Sequence, residues 1–62
     1  MTDEVAVLER ARLDDLRWHW GSAYQISNPV PGRWVARRHG GGRVLTGRSD
    51  GELRVKIRAD YR

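Results

Sequence analysis

The side chains best suited to chemistry in this 62-residue chain are arginines concentrated in its middle. Residues 33–48 contain five arginines and no acid, whereas residues 1–20 contain three arginines and five acids. A guanidinium forms paired hydrogen bonds to phosphate and to the edge of guanine, which a lysine ammonium cannot do. We therefore predict a small basic DNA- or RNA-binding protein, most simply a DNA-binding accessory or regulator, that uses Arg33, Arg37, Arg38, Arg43 and Arg48.

These arginines divide into two predicted roles. Arg33, Arg38 and Arg48 are assigned to phosphates, and Arg37 and Arg43 to base edges in a groove. A competing interpretation is a solvated basic edge whose charge only prevents strands from aggregating. Eleven of the 12 basic residues are arginine, which a GC-rich genome also explains, although codon usage does not explain why they cluster.

Groups suited to catalysis or metal binding are few and poorly spaced. His19 and His39 lie 20 residues apart, and the chain has no cysteine. On a helix, the adjacent Asp14 and Asp15 would point about 100° apart and could not act as a carboxylate pair. The glycines at 40–42 lack the lysine and the following helix of a phosphate-binding loop. We predict no enzyme activity, no metal site and no cofactor.

Two helices are predicted to flank the basic segment. Apolar residues at helical spacing indicate a first helix over residues 4–20, capped by Thr2 or Asp3 and ended by Gly21. Its core-facing stripe consists of Val5, Leu8, Leu13, Leu16 and Trp20. A capping box of Ser49 and Glu52 predicts a second helix over residues 50–61. Its stripe consists of Leu53, Ile57 and Tyr61.

Three strands are predicted between the helices, over residues 23–28, 33–39 and 43–47. Pro29 and Pro31 should end the first strand, and three glycines should join the other two as a hairpin. The order predicts one α+β domain over residues 1–62. In it, a three-stranded antiparallel sheet packs against the helices on one face (α-β-β-β-α).

Strand alternation decides which side chains each face of this sheet presents. Trp34 belongs on the helix-packed face, because a domain this small needs its buried area most. The other face, which Arg33, Val35, Arg37 and His39 share, then directs Arg33, Arg37 and Arg43 to solvent. The third strand has two possible orientations, with either Val44 and Thr46 or Leu45 directed inward.

A second apolar strip runs along the first helix, opposite the core-facing stripe. It consists of Val7, Ala11 and Trp18. Either the helix ends before Trp18, or the strip is an exposed contact face. An exposed strip predicts the alternative function, a protein-interaction or self-assembly module. Its partner would be a second copy in a homodimer, or an acidic protein attracted by the basic hairpin.

Residues 32–37 and 43–47 lie in two predicted strands, and residues 52–53 begin the helix that follows them. They resemble the layout of plant ethylene-response-type DNA-binding domains and of the arm-binding amino-terminal domain of tyrosine recombinases. Those families lay the sheet in the major groove, so the resemblance implies base contacts by Arg37 and Arg43, flanked by Arg33 and His39. The chain departs from the plant pattern at Leu45, where that family has a tryptophan, and in its leading helix.

A longer set of residues covers the hairpin and the second helix: Gly32, Trp34, Ala36, Arg38, residues 45–46 and residues 52–61. It resembles short proteins of unassigned activity from GC-rich soil bacteria, and the resemblance implies a cytoplasmic setting. Residues 1–4 lack the apolar region of a signal peptide, and no run approaches 18 apolar residues. We therefore expect a cytoplasmic protein without a membrane partner.

Overall fold

This computed structural model describes residues 4–61, which form two helices and, between them along the chain, three strands. The elements are α1 (Glu4–Trp20), β1 (Tyr24–Val30), β2 (Arg33–Arg38), β3 (Val44–Gly47) and α2 (Asp50–Asp60). The strands form one antiparallel sheet in the order β1-β2-β3. The predicted α+β class and the order α-β-β-β-α are confirmed. The predicted caps Thr2 and Asp3 lie outside the described residues.

The core lies between the two helices and one face of the sheet. Its buried side chains are Leu13, Leu16, Tyr24, Ile26, Trp34, Ala36, Leu53 and Ile57. Those from the sheet alternate along their strands and therefore share one face. α1 packs on β1, and α2 packs on β2 and β3. Neither helix of the described range is long and apolar enough to cross a membrane.

The orientation of β3 follows from its pairing with β2. Leu45 lies opposite the buried Ala36 and packs against the core. Val44 and Thr46 are exposed on the other face. Of the two orientations that the sequence allowed, the structure adopts the one with Leu45 inward.

α1 reaches the core only through its second half. Val5 and Leu8, predicted to face the core, are 52% and 58% exposed, so that part of the prediction is wrong. The turn between β1 and β2 contacts α1 at Glu9, whose carboxylate accepts a hydrogen bond from the Gly32 amide at 2.9 Å. Val5 and Leu8 precede this contact, and neither belongs to the core cluster or to the side chains packed against it.

The first strand, β1, ends later than predicted. β1 begins at Tyr24 and continues through Pro29 to Val30, although the prolines were expected to end it at Asn28. β1 is an edge strand, so the missing amide of Pro29 removes no bond from the centre of the sheet. The register also shifts between Ser27 and Val30. β2, β3 and α2 are each one residue shorter than predicted.

The predicted capping box starts α2, with one change of partner. Ser49 accepts a hydrogen bond from the Glu52 amide at 3.1 Å, as expected. The Glu52 carboxylate, however, accepts from the amide of Arg48 at 3.3 Å and not from that of Ser49. At the other end of α2, Tyr61 is half exposed. Its ring packs edge-on against Trp20, with centroids 5.3 Å apart.

Candidate nucleic-acid interface

The face of the sheet opposite the core is uncovered in the described structure. Directly opposed residues of antiparallel strands share a face, so two rows cross it: Gln25–Arg37–Val44 and Ser27–Val35–Thr46. Alternation along β2 adds Arg33 to the same side. We call this surface the open face. Its seven residues are Gln25, Ser27, Arg33, Val35, Arg37, Val44 and Thr46.

Arg37 is the central residue of one row of the open face, the row nearest the loop of residues 40–42. It lies on the middle strand, between Gln25 on β1 and Val44 on β3, and is exposed. Two interstrand spacings make this row about 10 Å across. The major groove of B-DNA is about 12 Å wide and admits a β-ribbon. A guanidinium at this position can therefore reach base edges while the flanking strands lie along the groove walls.

Arg33 and Arg48 lie at the opposite end of the sheet from the three-glycine loop. They line a shallow depression of about 400 Å³ together with Lys56, which projects from α2. The Lys56 ammonium donates to the Thr46 carbonyl at 2.5 Å and lies 3.5 Å from Glu52. Lys56 was not among the predicted site residues, since its position beside β3 depends on how α2 packs.

Arg43 lies beside the open face and not within it. It precedes Val44, the first paired residue of β3, in a connection that contains Gly40, Gly41 and Gly42. All three glycines have positive φ, between 84° and 130°, a backbone region that residues with a Cβ rarely adopt. The loop therefore holds an exposed Arg43 next to the row that contains Arg37.

Arg38 is directed to the other side of the sheet from Arg37. It pairs across the strands with the buried Tyr24, and its guanidinium lies 3.8 Å from the Asp60 carboxylate on α2. Tyr24 donates a hydrogen bond to the same carboxylate. Burial, followed by this hydrogen bond to Asp60, raises the pKa of Tyr24 to about 12. Arg38 thus lies apart from the other four predicted arginines.

His39 also lies against the helix layer. Its Nε2 is 2.9 Å from the carbonyl oxygen of Gly21, and its amide donates to Ala23. The other histidine, His19, lies 3.5 Å from Asp15 at the end of α1. Residues 4–61 contain no group of three or more side chains that could hold a metal ion.

Positive charge on the open side is not neutralised within the described chain. Residues 21–48 contain no acid, and the carboxylates of residues 4–61 all belong to the two helices. Several of them bind helix arginines: Arg12 with Asp50 at 3.4 Å, and Arg54 with Asp15 at 3.3 Å. Across residues 4–61, no carboxylate forms an ion pair with Arg33, Arg37, Arg43 or Arg48.

The predicted contact strip on α1 is exposed. The helix continues to Trp20, so the interpretation in which it ends before Trp18 is wrong. Trp18 is 84% exposed and Val7 53%, and Ala11 is exposed between them. The strip lies on the side of α1 opposite Leu16, which is fully buried.

Comparison with protein-family models, curated protein sequences and solved structures found no match to this chain.

Proposed function

We propose that this protein binds duplex DNA across the open face of its sheet. The observation that supports the proposal most strongly is the position of Arg37. It is exposed on the middle strand of an uncovered three-stranded face and has no carboxylate partner within residues 4–61. A buried or ion-paired arginine would have to lose those contacts before binding DNA, whereas Arg37 does not.

The proposed contacts divide the arginines by position. Arg37 reads base edges in the major groove. Arg33 and Arg48, at one end of the sheet, and Arg43, at the other, bind phosphates on either side of it. Arg38 is left out of this interface because Asp60 binds it on the helix side.

The competing interpretation, that the arginines only protect a sheet edge, has less support. At the free edge of β3, the Thr46 carbonyl already accepts a hydrogen bond from Lys56. This contact blocks pairing with another strand at that position. Arg37 lies on the middle strand, where it protects no edge.

The test is fluorescence anisotropy of a labelled generic duplex titrated with the protein at two salt concentrations. Neutralising several phosphates should make the affinity fall steeply with salt, with about 0.9 units of log–log slope per phosphate contact. The double variant Arg37→Ala/Arg43→Ala should weaken binding at least about tenfold, because it removes a base contact and a phosphate contact.

Arg58→Ala is the matched single-charge control. Arg58 is exposed on α2 and forms no ion pair within residues 4–61, so its loss should change the affinity less than about threefold. Absence of binding at low salt with micromolar protein would exclude the proposal. Equal losses for Arg37→Ala and Arg58→Ala would exclude the open face as the interface.

A further inference from the structure

The fold leaves the strip of Val7, Ala11 and Trp18 uncovered on α1. Trp18, at 84%, is the most exposed of the large apolar side chains in residues 4–61. The core occupies the other side of the helix, through Leu13 and Leu16. Neither the sheet nor α2 can therefore reach the strip. A large exposed aromatic side chain in a helical apolar row is typical of an interface.

The spacing of the strip fits a second copy of the same helix running antiparallel. A twofold axis between Arg12 and Leu13 places Val7 and Trp18 about 8 Å on either side of it along the helix. Trp18 of each copy then packs on Val7 of the other. Ala11 lies close to the axis, where its small side chain allows the helices to approach closely.

The charges beside the strip fit the same arrangement. Arg10 and Asp14 lie on one flank, and neither forms an ion pair within residues 4–61. In the antiparallel pair, Arg10 of one copy and Asp14 of the other lie at nearly the same level: their positions along the helix axis differ by one residue, about 1.5 Å. Other charges of α1 have partners within the chain: Arg12 with Asp50, and Asp15 with Arg54.

We propose that a second copy of this chain covers the strip, through an antiparallel pair of α1 helices. Two strips of this length bury less than about 1,200 Å², which is the lower limit for stable protein interfaces. The dimer should therefore be weak, so that the fraction of dimer rises with protein concentration.

The dimer has a consequence for DNA that rests on the proposed function. The strip faces away from the sheet, so the two open faces point outward on opposite sides of the dimer. Such a dimer cannot place both sheets on one stretch of duplex. It would instead hold two separate duplexes, one on each side, and so act as a DNA-bridging protein.

Sedimentation equilibrium without DNA, up to about 1 mM protein, tests the dimer independently of DNA binding. The wild-type protein should show a concentration-dependent dimer, and Trp18→Ala should weaken it at least about tenfold. Val55→Ala is the control, because Val55 is also apolar and 66% exposed but lies on α2. A wild-type protein that stays monomeric, or a Trp18→Ala variant that dimerises as tightly as wild type, would overturn the proposal. Circular dichroism confirms that each variant is folded.

Charge reversal tests the antiparallel geometry without changing the apolar strip. Arg10→Asp alone and Asp14→Arg alone should each dimerise more weakly than wild type, because each creates like-charge contacts across the axis. An equimolar mixture of the two variants should recover association, since both contacts between unlike chains are then attractive. Failure of the mixture to associate more tightly than either variant alone would contradict the pairing.

Bridging is measured last, by retention of a labelled duplex on beads that carry a second duplex. Wild-type protein should retain it, whereas Trp18→Ala should bind single duplexes with affinity within about threefold of wild type and retain none. Dimerisation without any DNA binding would refute the proposed function alone. DNA binding by a protein that is monomeric at all concentrations would refute the dimer alone.

Discussion

The helix layer (α1 and α2) and the open face of the sheet differ in whether their arginines lie beside carboxylates. On the helices, Asp15 and Asp50 lie within 3.3 to 3.9 Å of arginines, so acids and bases neutralise each other locally. On the open face, Arg37 has no acidic neighbour in the described structure, and the 28 residues from 21 to 48 supply none. A net charge of +4 is modest, but the fold concentrates it on one side. The distribution of charge therefore says more about a partner than the total does.

The same contrast exists within a single strand. Trp34 and Arg37 lie three residues apart on β2, yet one is buried against the helices and the other is exposed on the open face. The first contributes to stability and the second is available for binding. Substitutions at these two positions should separate the two properties.

The largest effect on stability is expected from Trp34→Ala. Removing this 1%-exposed side chain should lower the free energy of unfolding by about 3–5 kcal/mol, since it leaves a cavity at the centre of a small core. Arg37→Ala should change it by less than about 0.5 kcal/mol. Urea denaturation followed by circular dichroism compares the two. A large loss of stability in Arg37→Ala would show that the open face also supports the fold.

A smaller effect is expected where sheet and helix layer meet, at Tyr24. Tyr24→Phe removes the hydrogen bond to Asp60 and should cost about 1–2 kcal/mol at pH 7. The folded-state pKa of Tyr24, about 12, exceeds its ordinary value of 10.0. The neutral hydroxyl is therefore the form that the fold favours. Its contribution is complete below about pH 10 and is lost as the pH rises toward 12.

Thermal melts between pH 8 and 12 measure that contribution. Wild type should lose stability above pH 10, and Tyr24→Phe should lose less. Tyr61→Phe is the control, since Tyr61 is half exposed at the end of α2, and this variant should behave like wild type. The assignment fails if Tyr24→Phe and wild type lose stability equally above pH 10.

The smallest effect is expected from the ion pairs of the helix layer. Asp15→Asn breaks the contact with Arg54, but both side chains are partly exposed, so the cost should be less than about 0.5 kcal/mol. Raising the salt concentration should likewise change the unfolding free energy little, whereas it should weaken the proposed DNA binding steeply. Parallel salt titrations of unfolding and of anisotropy measure both. If the unfolding free energy and the DNA affinity both fell steeply as salt was raised, the proposed separation between ion pairs of the helices and DNA-binding arginines of the open face would be wrong.

Local signals in the sequence predicted most of the elements. The helical spacing of Leu13 and Leu16 and the pairing of Ser49 with Glu52 each depend on residues within one or two turns. For such features, the chemistry of a short segment decides the conformation, and the fold class follows from their order. The arginine cluster was equally visible, because clustering is a property of the sequence.

Contacts between distant segments were not predictable in the same way. Leu8 has the periodicity of a core residue, but its burial depends on which elements pack against the first half of α1. Strand alternation places Arg37 and Arg38 on opposite faces of the sheet. The ion pair of Arg38 with Asp60 could not be predicted in the same way, because Asp60 lies 22 residues away on α2. Lys56 gave no sequence signal at all, since it reaches the sheet edge only because α2 crosses β3.

The sequence by itself determined the α+β order, the basic character of the hairpin and the two apolar sides of α1. Each of these depends on residue type and on spacing over a few positions. The tertiary structure decided that Leu45 faces inward, that Arg37 lies on an uncovered face and that Arg38 does not. It also decided that the strip around Trp18 has no intramolecular cover. These outcomes depend on which surfaces meet when the helices pack on one side of the sheet, and the packing of a whole core is not encoded in any short segment.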